Sequence, residues 1–294
     1  MSNLCTLCPR MCRADRASGE LGYCKAGADI KIAQAYLHKW EEPPISGENG
    51  SGTVFFTYCN MQCVFCQNYK ISREHVGKTV TTDELSKIFL DLQGEGAHNI
   101  NLVTPTHYIP EIKNALIIAK NSGLKIPVVY NSGGYENADT LRTLDGLIDI
   151  YLPDFKYYSD KYAVRYSNAP NYRKIASSAI AEMLRQTGKN MFAENGLMKR
   201  GVIVRHMMLP GLLFDSKKII DYLYKTYGDD IYISIMSQYT PIKIEKEFEE
   251  LNRTVTKKYY DTLVDYAAQI GIKNAFVQDG TSVGESFIPE FFGE

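Results

Sequence analysis

From Thr53 onward, apolar runs of strand length alternate with stretches in which apolar residues recur every three or four positions. Such alternation predicts repeated strand–helix units. The predicted strands are TVFFTY (53–58), NINLVT (99–104), PVVYN (127–131), IDIYLP (148–153), GVIVRHMML (201–209) and IYISIM (231–236), with NAFVQ (274–278) as a seventh. Between them, Leu85, Ile88, Phe89 and Leu92 make one helical face, opened by a capping box at Thr81 and Glu84 and closing near Gly94. Ile219, Ile220, Leu223 and Tyr224 make another, with Gly228 as its C-cap, and a last helix covers KKYYDTLVDYAAQIG (257–271). Six or more consecutive units predict an α/β fold, a parallel barrel, complete or partial, with its chemistry at the C-terminal ends of the strands.

The first fifty residues break this pattern. They hold two short apolar patches, four cysteines and a Pro/Gly-rich exit, EEPPISGENGSG (41–52). The expected organisation is a four-cysteine metal-binding module with its linker over 1–50, then a barrel with a C-terminal extension over 51–294. The tail GESFIPEFFGE (284–294) is apolar enough to cover the open side of a partial barrel. Hydrophobic residues make up 45% and charged residues 23% of the 294, the balance of an ordinary globular protein. Lys plus Arg is 33 against 34 for Asp plus Glu, so no global field favours nucleic acid or an anionic membrane. The opening MSNLCTLCPR lacks the apolar stretch of a secretory signal and no apolar run spans a bilayer, so a cytoplasmic protein is expected.

All seven cysteines lie in the first 66 residues, as Cys5, Cys8, Cys12 and Cys24, then Cys59, Cys63 and Cys66. An odd count without a signal sequence argues for reduced thiols, and the clustering argues for metal. Cys59-Asn60-Met61-Gln62-Cys63-Val64-Phe65-Cys66 is a C-x3-C-x2-C loop directly after the first predicted strand. Three thiolates fill three corners of a four-iron cube and leave one iron open, which is what allows a metal site to do chemistry. The alternative is a closed zinc site with a fourth ligand such as His75. The other four cysteines supply tetrathiolate ligation suited to a second 4Fe–4S cluster or to zinc.

The three-cysteine loop resembles that of the radical S-adenosylmethionine (SAM) superfamily, and the resemblance implies a partial (β/α)6 TIM-like barrel. The resemblance implies a cluster whose open iron is chelated by SAM, reductive cleavage of SAM, and a 5′-deoxyadenosyl radical that abstracts hydrogen. It also implies that Phe65 lies near the adenine. Cys66-Gln67-Asn68, Asp154-Phe155-Lys156 and the run from Arg205 to Gly211 are similar to motifs of pyruvate formate-lyase activating enzymes, in which the Asp–Lys pair contacts SAM. CTLCPRMC, HKWEEPPISG, NINLVTPTHY, VVYNSGGY, YLPDFKYY and MSQY together resemble a family of iron–sulfur proteins related to those activases.

From the residues themselves, Asp154 and Lys156 alternate with Phe155, so both can face inward; a carboxylate suits a ribose hydroxyl and an ammonium a carboxylate. Arg205 and His206 precede Pro210-Gly211, and Arg205 is the one expected to point inward. Where many superfamily members carry Gly-Gly-Glu, this chain has Thr104-Pro105-Thr106-His107; Thr104 and Thr106 offer hydroxyls and His107 an acid/base or a substrate ligand. Asn131, Ser132 and the following glycines, then Gln238 with Tyr239, complete the expected cofactor contacts. His38 and Glu42, in the linker around the single Trp40, are substrate candidates beside a packing role.

Three functions follow. One is a glycyl-radical activase acting on a backbone glycine of a partner enzyme. Another is a radical SAM enzyme acting on a small molecule or peptide side chain. The third, of another class, is a non-catalytic zinc-binding interaction protein. Both catalytic readings call for a one-electron donor, a flavodoxin or ferredoxin.

Overall fold

A computed structural model describes residues 4–278. Its strands are β1 (Ile30–His38), β2 (Ser51–Phe56), β3 (Lys78–Val80), β4 (Ile100–Val103), β5 (Val128–Ser132), β6 (Ile150–Pro153), β7 (Met191–Phe192), β8 (Met198–Met207), β9 (Tyr232–Met236) and β10 (Ala275–Val277). The sheet order is β10-β9-β8-β6-β5-β4-β2-β1-β3, with β7 paired to β8. From β2 to β10 every neighbour in that order is parallel and follows chain order. β1 adds antiparallel to β2, and β3 antiparallel to β1. The order starts at β10 and ends at β3 without joining them, so this is a partial barrel. The tail at 284–294 lies outside the described residues.

All seven predicted strands form. β2, β4, β5 and β6 are buried at every position, as strands covered on both faces must be. The helix Thr82–Gly94 carries the complete capping box between Thr81 and Glu84 and buries Leu85, Phe89 and Leu92. Leu213–Tyr227 ends on Gly228 and buries Ile219, Ile220 and Leu223. Lys257–Gln269 is the predicted last helix. β1 is an addition: IKIAQAYLH mixes Ala, Gln and Lys without clean alternation, and only pairing with β2, across a bulge between Ile32 and Gln34, makes it a strand. Its far end leads to the segment 39–43, which lines the cavity inside the barrel. Among the described residues, no helix is long and apolar enough to cross a membrane.

Candidate active site

The three-cysteine loop leaves the C-terminal end of β2 with its backbone bent twice. Tyr58 has φ 78° and Gln62 φ 54°, left-handed values that bulky side chains avoid. The loop is tied down from outside: Tyr58 N–H donates to Ile71 O at 2.9 Å and Asn60 Nδ2 to Tyr135 O at 2.7 Å. Each sulfur receives a donor. Met61 N–H lies 3.3 Å from Cys59 Sγ, Ser167 Oγ 2.9 Å from Cys63 Sγ, and Ser72 Oγ 3.3 Å from Cys66 Sγ. Desolvation pushes the Cys59 thiol up to about 12 and raises that of Cys66. Such thiols ionise only when a metal cation replaces the proton, and the donors then stabilise the thiolates. The residues therefore fit an iron–sulfur cluster.

All three cysteines line one cavity of about 600 Å³. The loop also contributes Phe65 and Asn68 to it, and the strand ends contribute Thr104, Asn131, Ser132, Asp154, Arg205 and Gln238. Lys156 lines it too, while Phe155 between them is fully buried, as alternation requires. Thr104 has φ 59°, an uncommon value for a β-branched residue, and strain of this kind gathers at ligand sites. Gly134, at φ 77°, brings the backbone after β5 so close to β6 that a Cβ there would stand 2.1 Å from Asp154 O.

Electrostatics organise the part of the wall around Asp154. Asp154 lies 2.6 Å from Lys156 Nζ and 3.0 Å from Arg205 Nε. Burial would raise its carboxyl, but the two cations outweigh burial and hold it below its ordinary value. Burial likewise opposes a charged Lys156, and Asp154 more than restores it. Arg205 donates further to Glu41 Oε2 at 3.1 Å and Asn131 Oδ1 at 2.6 Å. Glu41 Oε1 in turn accepts from Asn101 Nδ2 at 3.0 Å and Asn131 Nδ2 at 3.2 Å. Glu41 and Asn101 were missed by the motif reading. The available signal was a polar Asn101 inside an otherwise apolar strand, INLV. His38 and Glu42 both reach the cavity, beside Trp40.

Several expected positions need correction. Thr106 and His107 do not line this cavity, because the chain after Thr104 enters a 3-10 turn, Thr106–Tyr108, that buries both elsewhere. Thr106 Oγ1 donates to Glu136 at 2.7 Å, and His107 Nε2 lies 2.7 Å from Thr57 O, the residue lining the four-cysteine pocket instead. Tyr239 is fully buried with its hydroxyl on Leu251 O. His206 is buried against Phe155 O, so Arg205 alone of that pair faces inward. His75 packs tilted against Tyr58, ring centroids 4.6 Å apart, and is absent from the cavity wall, so it does not supply a fourth ligand there.

Cys5, Cys8, Cys12 and Cys24 line a second, small pocket. Cys8 and Cys24 are buried and Cys12 is exposed. Among the described residues no three His, Cys, Asp or Glu side chains converge to hold a single metal ion, at either cysteine group.

Residues 53–223, more than half of the chain, match the family model described as the radical SAM superfamily. The chain is 29% identical over 281 residues, 91% of its length and 75% of the other's, to the protein of Methanocaldococcus jannaschii called uncharacterized protein MJ0674. Among solved structures it resembles Streptococcus suis SuiB bound to precursor peptide SuiA, at TM-score 0.53 and 14% identity, covering 77% of this chain and 48% of that one. It also resembles HydG, a hydrogenase maturase, at TM-score 0.51 and 15% identity, covering 74% and 49%. The chain thus spans about half the length of these two structures, and at such identities the likeness is one of fold.

Proposed function

Because this chain belongs to the radical SAM superfamily, we propose that Cys59, Cys63 and Cys66 hold a 4Fe–4S cluster and that the adjoining cavity takes SAM and a hydrogen-donating substrate. Membership makes the chain an enzyme and sets aside the zinc-binding interaction protein. Such a cluster supplies a low-potential electron for reductive cleavage of SAM to a 5′-deoxyadenosyl radical, which abstracts hydrogen. The observation that carries the proposal is that three thiols with hydrogen-bonded sulfurs share one cavity with an inward-facing Asp154–Lys156 pair, at the C-terminal ends of parallel strands.

The chain's own side chains divide the work. Asp154 and Lys156 offer a carboxylate to ribose hydroxyls and an ammonium to the SAM carboxylate. Phe65 gives an apolar surface for adenine. Thr104 presents a polar atom where the family's Gly-Gly-Glu is replaced, being the residue of its segment that reaches the cavity, and Asn131 and Ser132 add polar atoms from the end of β5. Arg205, bonded through all three of its nitrogens to Asp154, Glu41 and Asn131, acts as a positioning residue. Resemblance to the activases favours a backbone glycine of a partner polypeptide as the hydrogen donor. A ferredoxin or flavodoxin serves as reductant, in a cytoplasmic setting. Cys5, Cys8, Cys12 and Cys24 hold a second metal.

The test is anaerobic. Iron-loaded protein with dithionite is expected to release 5′-deoxyadenosine from SAM at least 100-fold faster than Cys63→Ala, and no difference between them would sink the proposal. Deuterium carried into 5′-deoxyadenosine from a glycine-labelled partner polypeptide identifies the activase reaction. Transfer from a labelled small molecule or peptide side chain instead replaces it with the other catalytic reading.

A further inference from the structure

Against the three-cysteine loop sits a group of thiols that SAM chemistry does not use. Cys5, Cys8, Cys12 and Cys24 wall one pocket, with Arg16 and His107 beside them. Among described residues before β1, regular structure amounts to a 3-10 turn, Arg16–Ser18, and a bridge between Leu4 and Asp15. So short a segment has no core of its own to gather four thiols, and a metal group is the usual substitute. Gly22 lies so near Cys12 that an added Cβ would meet its Cβ and Sγ at 3.0 Å. That approach lets Tyr23 N–H donate to Cys12 Sγ at 3.2 Å, the kind of bond that tunes a cluster sulfur. His107 is 2% exposed, with Nε2 on Thr57 O and Nδ1 left without a partner.

Four thiolates suit zinc or a four-iron cube alike, and what favours the cube here is the setting, a pocket of four thiols beside a loop that carries three more. The module also touches the first loop directly. Tyr23, next to Cys24, accepts at its carbonyl a 2.9 Å bond from Gln62 Nε2, and Gln62 adjoins Cys63. The Tyr23 hydroxyl reaches Met61 O at 3.3 Å. Arg10 lies 3.8 Å over the Tyr23 ring and donates to Asn60 O at 2.8 Å.

We propose that Cys5, Cys8, Cys12 and Cys24 hold a second, fully ligated 4Fe–4S cluster seated against the three-cysteine site, placed to pass it single electrons. One electron leaves a low-potential ferredoxin- or flavodoxin-type donor and reduces this cluster. Its onward transfer reoxidises the cluster and reduces the three-cysteine site. The relay rests on the proposed function, whereas the cluster itself does not.

The experiment is anaerobic iron, sulfide and zinc quantification on the reconstituted full chain, with low-temperature EPR after reduction. The wild type should hold about eight irons and no zinc. The triple variant Cys59→Ala, Cys63→Ala, Cys66→Ala should keep about four irons and a signal indifferent to SAM. The double variant Cys8→Ala, Cys24→Ala should keep about four irons with a signal that SAM alters. In the wild type the two signals should broaden each other, so its spectrum differs from the sum of the variants. One zinc per chain, or about four irons in the wild type, overturns the proposal even where a variant fails to fold. A wild-type spectrum equal to the sum overturns the close seating. Eight irons without SAM cleavage would sink the proposed function and leave the second cluster standing.

Discussion

Three carboxylates, Glu41, Glu42 and Asp154, face two cations, Arg205 and Lys156, along the wall of the cavity. Burial raises Glu41 and Glu42, and Arg205 opposes it in both. Removing Arg205 leaves three acids with only Lys156, whereas removing Glu41 leaves two against two. Arg205→Met is therefore expected to cost about 3 to 5 kcal/mol in urea denaturation, the range for stripping one partner from a buried ion pair. Glu41→Gln should cost less, and adding it to Arg205→Met should recover part of the loss. Strictly additive costs would disprove the coupling. At this scale Asp154 and Lys156 were legible, because strand alternation puts both on one side, whereas for Arg205 and His206 alternation fixes only that one of the two faces inward. Glu41 was not legible, because its partners Asn101, Asn131 and Arg205 stand 60, 90 and 164 residues away in sequence.

The strand-end loops are held in place as a set by a second buried acid. Glu136, just after β5, accepts from Thr106 Oγ1 in the loop after β4 at 2.7 Å and from Tyr130 within β5 at 3.0 Å. Burial raises its carboxyl to about 7, though the hydrogen bonds from Thr106, Tyr130 and Ser132 oppose it. The folded protein thus binds this proton more tightly than the unfolded chain does. Stability from this group is fully present below the unfolded value near 4.5 and is lost as pH rises toward 7. Glu136→Gln removes that dependence. Relative to wild type, the variant should gain about 3 kcal/mol between pH 4.5 and 7, read from urea midpoints across the range. A constant difference across that range would refute the buried, protonated acid. The parallel strands and capped helices were legible in the periodicity, since each element buries its own apolar face. β1 and the turn that diverts Thr106 and His107 were not, because both depend on neighbours contributed from elsewhere in the chain.

Two differently stabilised regions make up the described molecule. The barrel has a continuous apolar core running from β1 to the last helix, whereas the segment before β1 contributes only Cys24 and Ala26 to it. That segment is fastened by guanidinium groups instead. Arg10 donates to Asn60 O and also bonds Asn168 O, while Arg16 bonds Gly27 O and donates to His107 O at 2.6 Å. Four cysteines within twenty residues made the module visible from spacing, but its docking site was hidden, because arginine-to-carbonyl contacts leave no periodic trace. A region held by metal and a few polar bonds should open when the metal leaves, while a barrel held by burial should not. Anaerobic chelation is therefore expected to speed tryptic cleavage at Arg13, Arg16 and Lys25 at least tenfold, followed by mass spectrometry, with sites in β4 to β9 still protected. Arg10→Ala should speed the same cuts partway without chelator, because the module then loses its hold on Asn60. Equal cleavage of metal-loaded and metal-free protein would mean that packing alone holds the module to the barrel.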